Sequence, residues 1–254
     1  MKDYLADKIR NLVLLGHSGS GKTSLVDSIL YNNGVVDRLG SSLSGTSALD
    51  FEPEEIAKGQ SIYTAIIPVE WNDCKINMLD TPGYLDFVGE QEAALKVADN
   101  ALIVVSAVEG VEAGTINAFR QVERSNMPSI FFVNKLDDEK ADFDKVYNDL
   151  REKFGKSVIL FEIPIIEDRE VVGSVNILRN KAWYYNDRKT PKDVPADMVD
   201  IVETYYNHLA ESVAMTDDTL MEKFFEGERF SEEEIAKGLK LAVRQGEIRP
   251  VYCG

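Results

Sequence analysis

Sulfur and imidazole are scarce in this chain: 254 residues hold 2 cysteines, Cys74 and Cys253, and 2 histidines, His17 and His208. The cysteines lie far apart with no C-x-x-C spacing, which suggests neither a disulfide framework nor a zinc site and leaves two buried, reduced thiols as the expectation. Positive charge is short too, with 28 Lys and Arg against 44 Asp and Glu and a net charge of −16. Binding along DNA or an anionic membrane needs a basic footprint, so neither is expected, and a local contact to RNA stays open. No apolar run approaches the ~18 residues that a bilayer-spanning helix requires, and residues 1–10 are mixed and charged, unlike a signal peptide. The expectation is a soluble, cytoplasmic monomer. Hydrophobic residues are not scarce: at 44% of the chain they suffice for one large core or two small ones.

The apolar run Leu12-Val13-Leu14-Leu15 leads directly into Gly16-His17-Ser18-Gly19-Ser20-Gly21-Lys22-Thr23, followed by Ser24. This fits G-x-x-x-x-G-K-[ST] in the setting that gives the pattern meaning, a strand before it and a helix expected from Lys22 to Tyr31 after it. Such a loop points successive backbone N–H groups at one anionic spot, reinforced by the helix N-terminus, so the ligand is a polyphosphate. The glycines let the backbone wrap closely, Lys22 reaches the β/γ-phosphates, and the Thr23 hydroxyl ligates Mg²⁺.

Residues 32–60, rich in Gly, Ser and Asp and without periodicity, read as a long mobile loop with at most short helices, the kind of loop that is usually functional or disordered. Ile62 to Trp71 and Cys74 to Leu79 then read as strands joined by the turn Asn72-Asp73. The second delivers Asp80-Thr81-Pro82-Gly83, where Asp80 is placed to hold Mg²⁺ through a water and Gly83 to turn its N–H toward a γ-phosphate. Ala101 to Val105 is another apolar strand, Glu112 to Ser125 a helix, and Ser129 to Val133 a strand that ends in Asn134-Lys135-Leu136-Asp137. Strands alternating with helices indicate a doubly wound parallel sheet with ligands at the strands' carboxyl ends, where all three motifs fall. In N-K-x-D the Asp137 carboxylate accepts from both N1–H and the 2-amino group of guanine, while the Lys135 stem covers the base. The bland alternative makes Asp137 part of a polar helix N-terminus.

From Lys156 to Gln245 the pattern changes. Val158 to Pro164 and Val171 to Ile177 are strand-like, Pro191 to Pro195 is a breaker cluster, and helices are expected near Ala196–Met215, Asp217–Glu226 and Ser231–Gln245. Thr216-Asp217-Asp218 reads as a cap, and Ser231-Glu232-Glu233-Glu234 fits a capping box. Arg249 to Cys253 resumes as a strand. The expected organisation is a nucleotide-binding core over 1–155 and 246–254, with an inserted subdomain over 156–245. His208 falls mid-helix with no partner constellation, and the acidic cluster Glu226, Glu228, Glu232, Glu233 and Glu234 reads as a solvated face or a surface for a basic partner.

Together with Arg10-Asn11 before the first strand and Lys58-Gly59-Gln60-Ser61 before the second, these motifs make nearly the whole chain resemble the N-terminal GTPase domain of elongation factor G, a translational GTPase. The resemblance implies an α/β P-loop GTPase with a doubly wound, mostly parallel sheet and an inserted α+β subdomain like that family's G′ insert. It implies GTP and GDP as ligands and Mg²⁺ held by Thr23, by Ser61 and, through water, by Asp80. Its partner would be the ribosome, contacted near the sarcin-ricin loop and, through the acidic insert, at the stalk protein. In that family a Ser-Ala pair closes the guanine pocket just after a stretch like Pro250 to Gly254, so this chain is expected to be part of a longer, multidomain protein.

Four residues depart from the family pattern. The histidine that follows D-T-P-G is Tyr84, polar Gln60 stands where an apolar gate residue is usual, Ser18 fills the other gate position, and Gly19 replaces an Asp. All four belong to the handling of the attacking water, whereas the groups for nucleotide and metal match. This pattern is similar to the divergent, type-two elongation-factor-G-like paralogues. Two readings follow: a GTPase that is slow alone and faster on the ribosome, with Lys22, Gly83, Gln60 and Tyr84 as its catalytic groups, or a GTP-gated ribosome-binding switch that scarcely hydrolyses. A phosphate-loop kinase or ATPase is disfavoured by Asn134 to Asp137.

Overall fold

The computed structural model describes residues 2–254, with Arg188 by its backbone alone, and divides into two compact units, Met1–Met127 and Pro128–Gly254. In the first unit β1 (Ile9–Leu15) is followed by α1 (Lys22–Asn32), α2 (Pro53–Lys58), β2 (Ala65–Trp71), β3 (Cys74–Asp80), α3 (Val88–Leu95), β4 (Asn100–Ser106) and α4 (Ala113–Arg124). Their strand order is β2-β3-β1-β4. β1 pairs in parallel with both β3 and β4, and the buried, continuous apolar runs of β1 and β4 suit central parallel strands covered on both faces. β2 turns back on β3 through Asn72 and Asp73, both at positive φ (46° and 58°), which matches the right-handed twist of a two-residue hairpin. α4 buries Thr115, Ala118, Phe119 and Val122, the spacing of one helix face. The core under α1 joins Leu14, Val26, Leu30, Leu49, Val69, Met78 and Val104.

The strand expected from Ile62 begins only at Ala65, because side chains take its first amides. Glu55 Oε1 accepts from Ile62 N (2.9 Å) and Tyr63 N (3.1 Å), and Glu90 Oε2 accepts from Thr64 N (2.9 Å). With their donors satisfied, these residues need no sheet ladder. The long loop holds the short helix α2 and is tied down in its second half. Buried Asp27 in α1 accepts from Ala48 N at 3.2 Å, and Leu49 enters the core.

The second unit contains β5 (Ser129–Asn134), α5 (Phe143–Phe154), β6 (Val158–Leu160), β7 (Glu162–Glu167), β8 (Glu170–Asn176), β9 (Lys181–Tyr184), β10 (Asp187–Lys192), α6 (Val199–Ala214), α7 (Asp218–Phe225), α8 (Glu232–Gln245) and β11 (Arg249–Cys253). β11 lies between β5 and β6 and is parallel to both, while β7 to β10 form a separate antiparallel sheet. The single strand expected over Val158–Pro164 is therefore two. Phe161 makes the transfer, donating to Val251 O at 2.9 Å and accepting from Ile177 N at 3.0 Å. β10 runs into the expected breaker cluster as far as Lys192, and Pro191 is tolerated there because β10 is an edge strand with irregular register. The caps form as read: Asp217 accepts from Thr219 N (2.9 Å), and Ser231 and Glu234 make the reciprocal capping box.

Both cysteines are free, but only Cys253 is buried; Cys74 opens β3 beside the exposed hairpin turn and is half-buried, contrary to the expectation. His208 is exposed on α6, edge-on to Tyr205 at 6.0 Å. Among the described residues no helix is long and apolar enough to cross a membrane.

Candidate nucleotide site

β1 stops at Leu15 because Gly16 turns the chain at φ 140°, a position with no room for a side chain: a Cβ there would lie 2.3 Å from Val104 O. Gly19 and Gly21 also adopt positive φ (79° and 91°), and Gly21 caps α1 in the left-handed region. Ser20 and Lys22 are buried, His17 and Ser18 half-buried, and Ser24 exposed. The Lys22 ammonium donates to Gly16 O (3.2 Å) and His17 O (2.9 Å), which holds it within the curl of the loop. Burial pulls its pKa down to about 8, with the Asp80 charge opposing. His17 ties the loop to the start of α4. Its Nδ1 accepts from Gly114 N at 3.2 Å, which leaves the ring proton on Nε2, 3.3 Å from Glu112 Oε1.

Behind the loop a chain of oxygens forms. Thr23 Oγ1 donates to Asp80 Oδ2 at 2.6 Å and stands 3.2 Å from Ser61 Oγ, which donates to Asp50 Oδ1 at 3.0 Å. Asp80 and Asp50 are 1% and 4% exposed, and the second oxygen of each carboxylate is buried without a hydrogen-bond partner. Burial pushes the Asp80 pKa up to about 6 against the Thr23 hydrogen bond and the Lys22 charge, with Asp50 and Asp27 adding repulsion. Two hydroxyls and two carboxylates with orphaned oxygens fit a hard cation such as Mg²⁺. Among the described residues no cluster of three or more His, Cys, Asp or Glu suits a metal, and Mg²⁺ commonly keeps water and phosphate oxygens among its ligands.

The D-T-P-G turn is anchored by Thr81 Oγ1, which donates to Leu14 O at 2.6 Å. It presses Gly83 against the phosphate loop so closely that a Cβ would lie 2.5 Å from Ser18 N and 2.6 Å from Lys22 Nζ. Tyr84 follows at 43% exposure, and Gln60, half-buried, donates its N–H to Glu55 O at 3.2 Å. Thus Lys22, Thr23, Ser61, Asp80 and Gly83 come together. Sequence reasoning missed Asp50 and Glu55: they sit in a segment without periodicity, and no spacing rule marks a carboxylate eleven residues before a serine. Asp27, a lone carboxylate on α1, carries no sequence signal either.

In the second unit β5 delivers Asn134, Lys135 turns the chain at φ 65°, Leu136 is buried and Asp137 is exposed. The cap of α5 is Asp142, which accepts from Lys145 N at 3.0 Å, so capping does not account for Asp137. Leu136, Asp137 and Glu139 border a cavity of about 640 Å³ together with residues 168–171 at the β7–β8 turn.

Parallel strands that end in a phosphate loop, D-x-x-G and N-K-x-D define the guanine-nucleotide-binding class of phosphate-loop domains. Residues 7–253 match the elongation factor Tu GTP-binding domain, and the chain belongs to that family of translation-factor GTPases. Among solved structures it is similar to a protein of Thermus thermophilus known from its crystal structure, with 35% sequence identity and a TM-score of 0.90 over 97% of this chain. The match spans 37% of that protein's chain.

Proposed function

We propose that this chain is the nucleotide-binding and hydrolysing domain of an elongation factor G-like translation factor, slow at GTP hydrolysis alone and faster on the ribosome. The observation that carries the reading is the constellation of buried Lys22, Asp80 and Asp50 with half-buried Thr23 and Ser61, facing Gly83. In it Lys22 and the loop amides would hold phosphate, and Thr23 and Ser61 would ligate Mg²⁺ with Asp80 acting through water; in the second unit Asn134, Lys135 and Asp137 are proposed to read guanine. Bound Mg²⁺ supplies charge neutralisation at the phosphates. The elongation factor G-like assignment is supported by the antiparallel sheet and helices that intervene between the N-K-x-D turn and β11, and residues 156–245 are proposed as the inserted subdomain. The decisive experiment is single-turnover GTP hydrolysis with and without ribosomes; equal rates would favour the second reading, a GTP-gated switch, which Tyr84 in the usual histidine position supports.

Asp137→Ala should lower the preference for GTP over ATP by about 10²- to 10⁴-fold, because two hydrogen bonds to a charged acceptor are lost and each is worth about 1.5–3 kcal/mol. Nucleotide competition measures it, and an unchanged preference would remove Asp137 from base reading.

Ser61 sits at the end of the long loop, so ordering of that loop should follow the γ-phosphate. Protease cleavage within residues 32–60 should slow with a non-hydrolysable GTP analogue and speed up with GDP. Equal cleavage would count against a switch.

The acidic surface is proposed to meet the basic domain of the ribosomal stalk protein, with the sarcin-ricin loop near the nucleotide. Glu234 is unsuited to testing this, since it closes the α8 capping box and pairs with Lys223, which holds its carboxyl down at about 2. Glu232 and Glu233 are exposed, and reversing both to Lys should slow ribosome association chiefly at low salt. Association kinetics that do not change would leave a solvated face.

A further inference from the structure

Two buried glutamines connect α4 to the D-T-P-G turn. Gln121 Nε2 donates to Gln91 Oε1 at 2.9 Å, and Gln91 Nε2 donates to Pro82 O at 2.7 Å. Gln91 is 2% exposed and Gln121 6%. Pro82 O only accepts, so the nitrogen of the Gln91 amide must face it, and the Gln91 oxygen is thereby turned to the Gln121 donor. The chain of bonds has one possible direction.

Burying two amides costs free energy that an apolar pair on the same helix faces would not, and Gln91 lies among the buried Ala94 and Leu95 of α3. The hydrogen bond falls on a peptide whose orientation the proposed site needs. Among the described residues no peptide is cis, so in the planar Pro82–Gly83 unit the carbonyl and the Gly83 N–H point to opposite edges. Fixing the carbonyl on Gln91 fixes the direction of that N–H, and Gly83 stands against Ser18 N and Lys22 Nζ. The same helix α4 also receives the phosphate loop, through His17 on Glu112 and Gly114.

We infer that Gln91, backed by Gln121, is a positioning residue that holds the Pro82–Gly83 peptide with its N–H presented to a γ-phosphate, so that this pair sets the discrimination between GTP and GDP. The inference rests on the nucleotide reading above.

The test compares wild type with Gln91→Leu, Gln91→Glu and Gln121→Leu, measuring affinities for GDP and for a non-hydrolysable GTP analogue with fluorescent nucleotides, alongside thermal midpoints. Gln91→Leu should weaken the analogue about five- to tenfold, the worth of one hydrogen bond, and leave GDP within about twofold. Gln121→Leu, which touches neither loop, should shift the ratio in the same direction by less. Gln91→Glu adds a readout that a packing role would not move: its carboxylate cannot donate to Pro82 O whereas its protonated form can, so the analogue-to-GDP ratio, taken relative to wild type at the same pH, should recover as pH falls. If Gln91→Leu fails to fold, the other two variants decide. An unchanged ratio, with both affinities or only the thermal midpoint falling, would overturn the inference and leave the glutamines as packing. A wild-type protein that failed to prefer guanine nucleotides over ATP would instead overturn the nucleotide reading.

Discussion

Replacing Asp80 by asparagine is expected to stabilise the nucleotide-free protein at neutral pH while weakening its Mg²⁺-dependent hold on GTP. The two effects share one cause. Asp80 is 1% exposed, one of its oxygens has no partner, and Asp50 and Asp27 add negative charge nearby, so its folded pKa stands near 6 against 3.8 for the free side chain. The folded state thus binds the proton more tightly than the unfolded chain. The favourable contribution is complete below about pH 4 and disappears as pH rises through about 6, a span of two pKa units and on the order of 3 kcal/mol. Asparagine removes that dependence and can still accept from Thr23 Oγ1. Urea midpoints of wild type should therefore fall between pH 4 and 6 relative to Asp80→Asn, and at pH 7 the variant should be the more stable protein. Its GTP affinity in Mg²⁺ should drop about 10- to 100-fold, the usual effect of losing a group that orients a metal's water ligands. Wild-type binding should also weaken below about pH 6, where the carboxyl is protonated. A less stable Asp80→Asn protein would mean that the buried charge is balanced by contacts other than Thr23 and Lys22.

A strained, costly charge of this kind is not legible from sequence, although the position of Asp80 was. The short motifs announced themselves because each combines a chemical requirement with a strand end: Gly16 to Thr23 after β1, Asp80 to Gly83 after β3, Asn134 to Asp137 after β5. The central strands were legible through their continuous apolar runs, and α7 and α8 through their caps. Elements whose signal is mixed were not. α3 buries a glutamine where a periodic pattern needs an apolar residue, β9 and β10 are short and interrupted by polar residues, and α5 follows a charged turn that drew attention to the turn itself. The supporting shell was the least visible part. Glu55 holds the amides ahead of β2, Asp50 holds Ser61, and Gln91 holds Pro82, and each partnership joins segments that only folding brings together. Motif residues can be read from their neighbours in sequence; the groups that aim them can be read only from their neighbours in space.

Tyr84→His should raise intrinsic GTP hydrolysis, though by less than the ~10²–10³ that one well-placed positioning group is typically worth. Tyr84 follows Gly83 directly and is 43% exposed. An imidazole positions water and stabilises developing charge better than a phenol can. The gain is limited because three other departures stay in place: Ser18 and Gln60 are half-buried polar residues where apolar gates are usual, and Gly19, at φ 79°, carries no side chain. Groups that act as a unit are not additive, so one restored member recovers only part of the rate. Single-turnover rates of wild type, Tyr84→His and Tyr84→Phe, without and with ribosomes, separate the roles. If the phenol orients water, Tyr84→Phe should slow hydrolysis on the ribosome and leave GTP affinity unchanged. An unchanged rate would remove the hydroxyl from the reaction and make Gln60, held beside Ser61 by Glu55, the group to replace next.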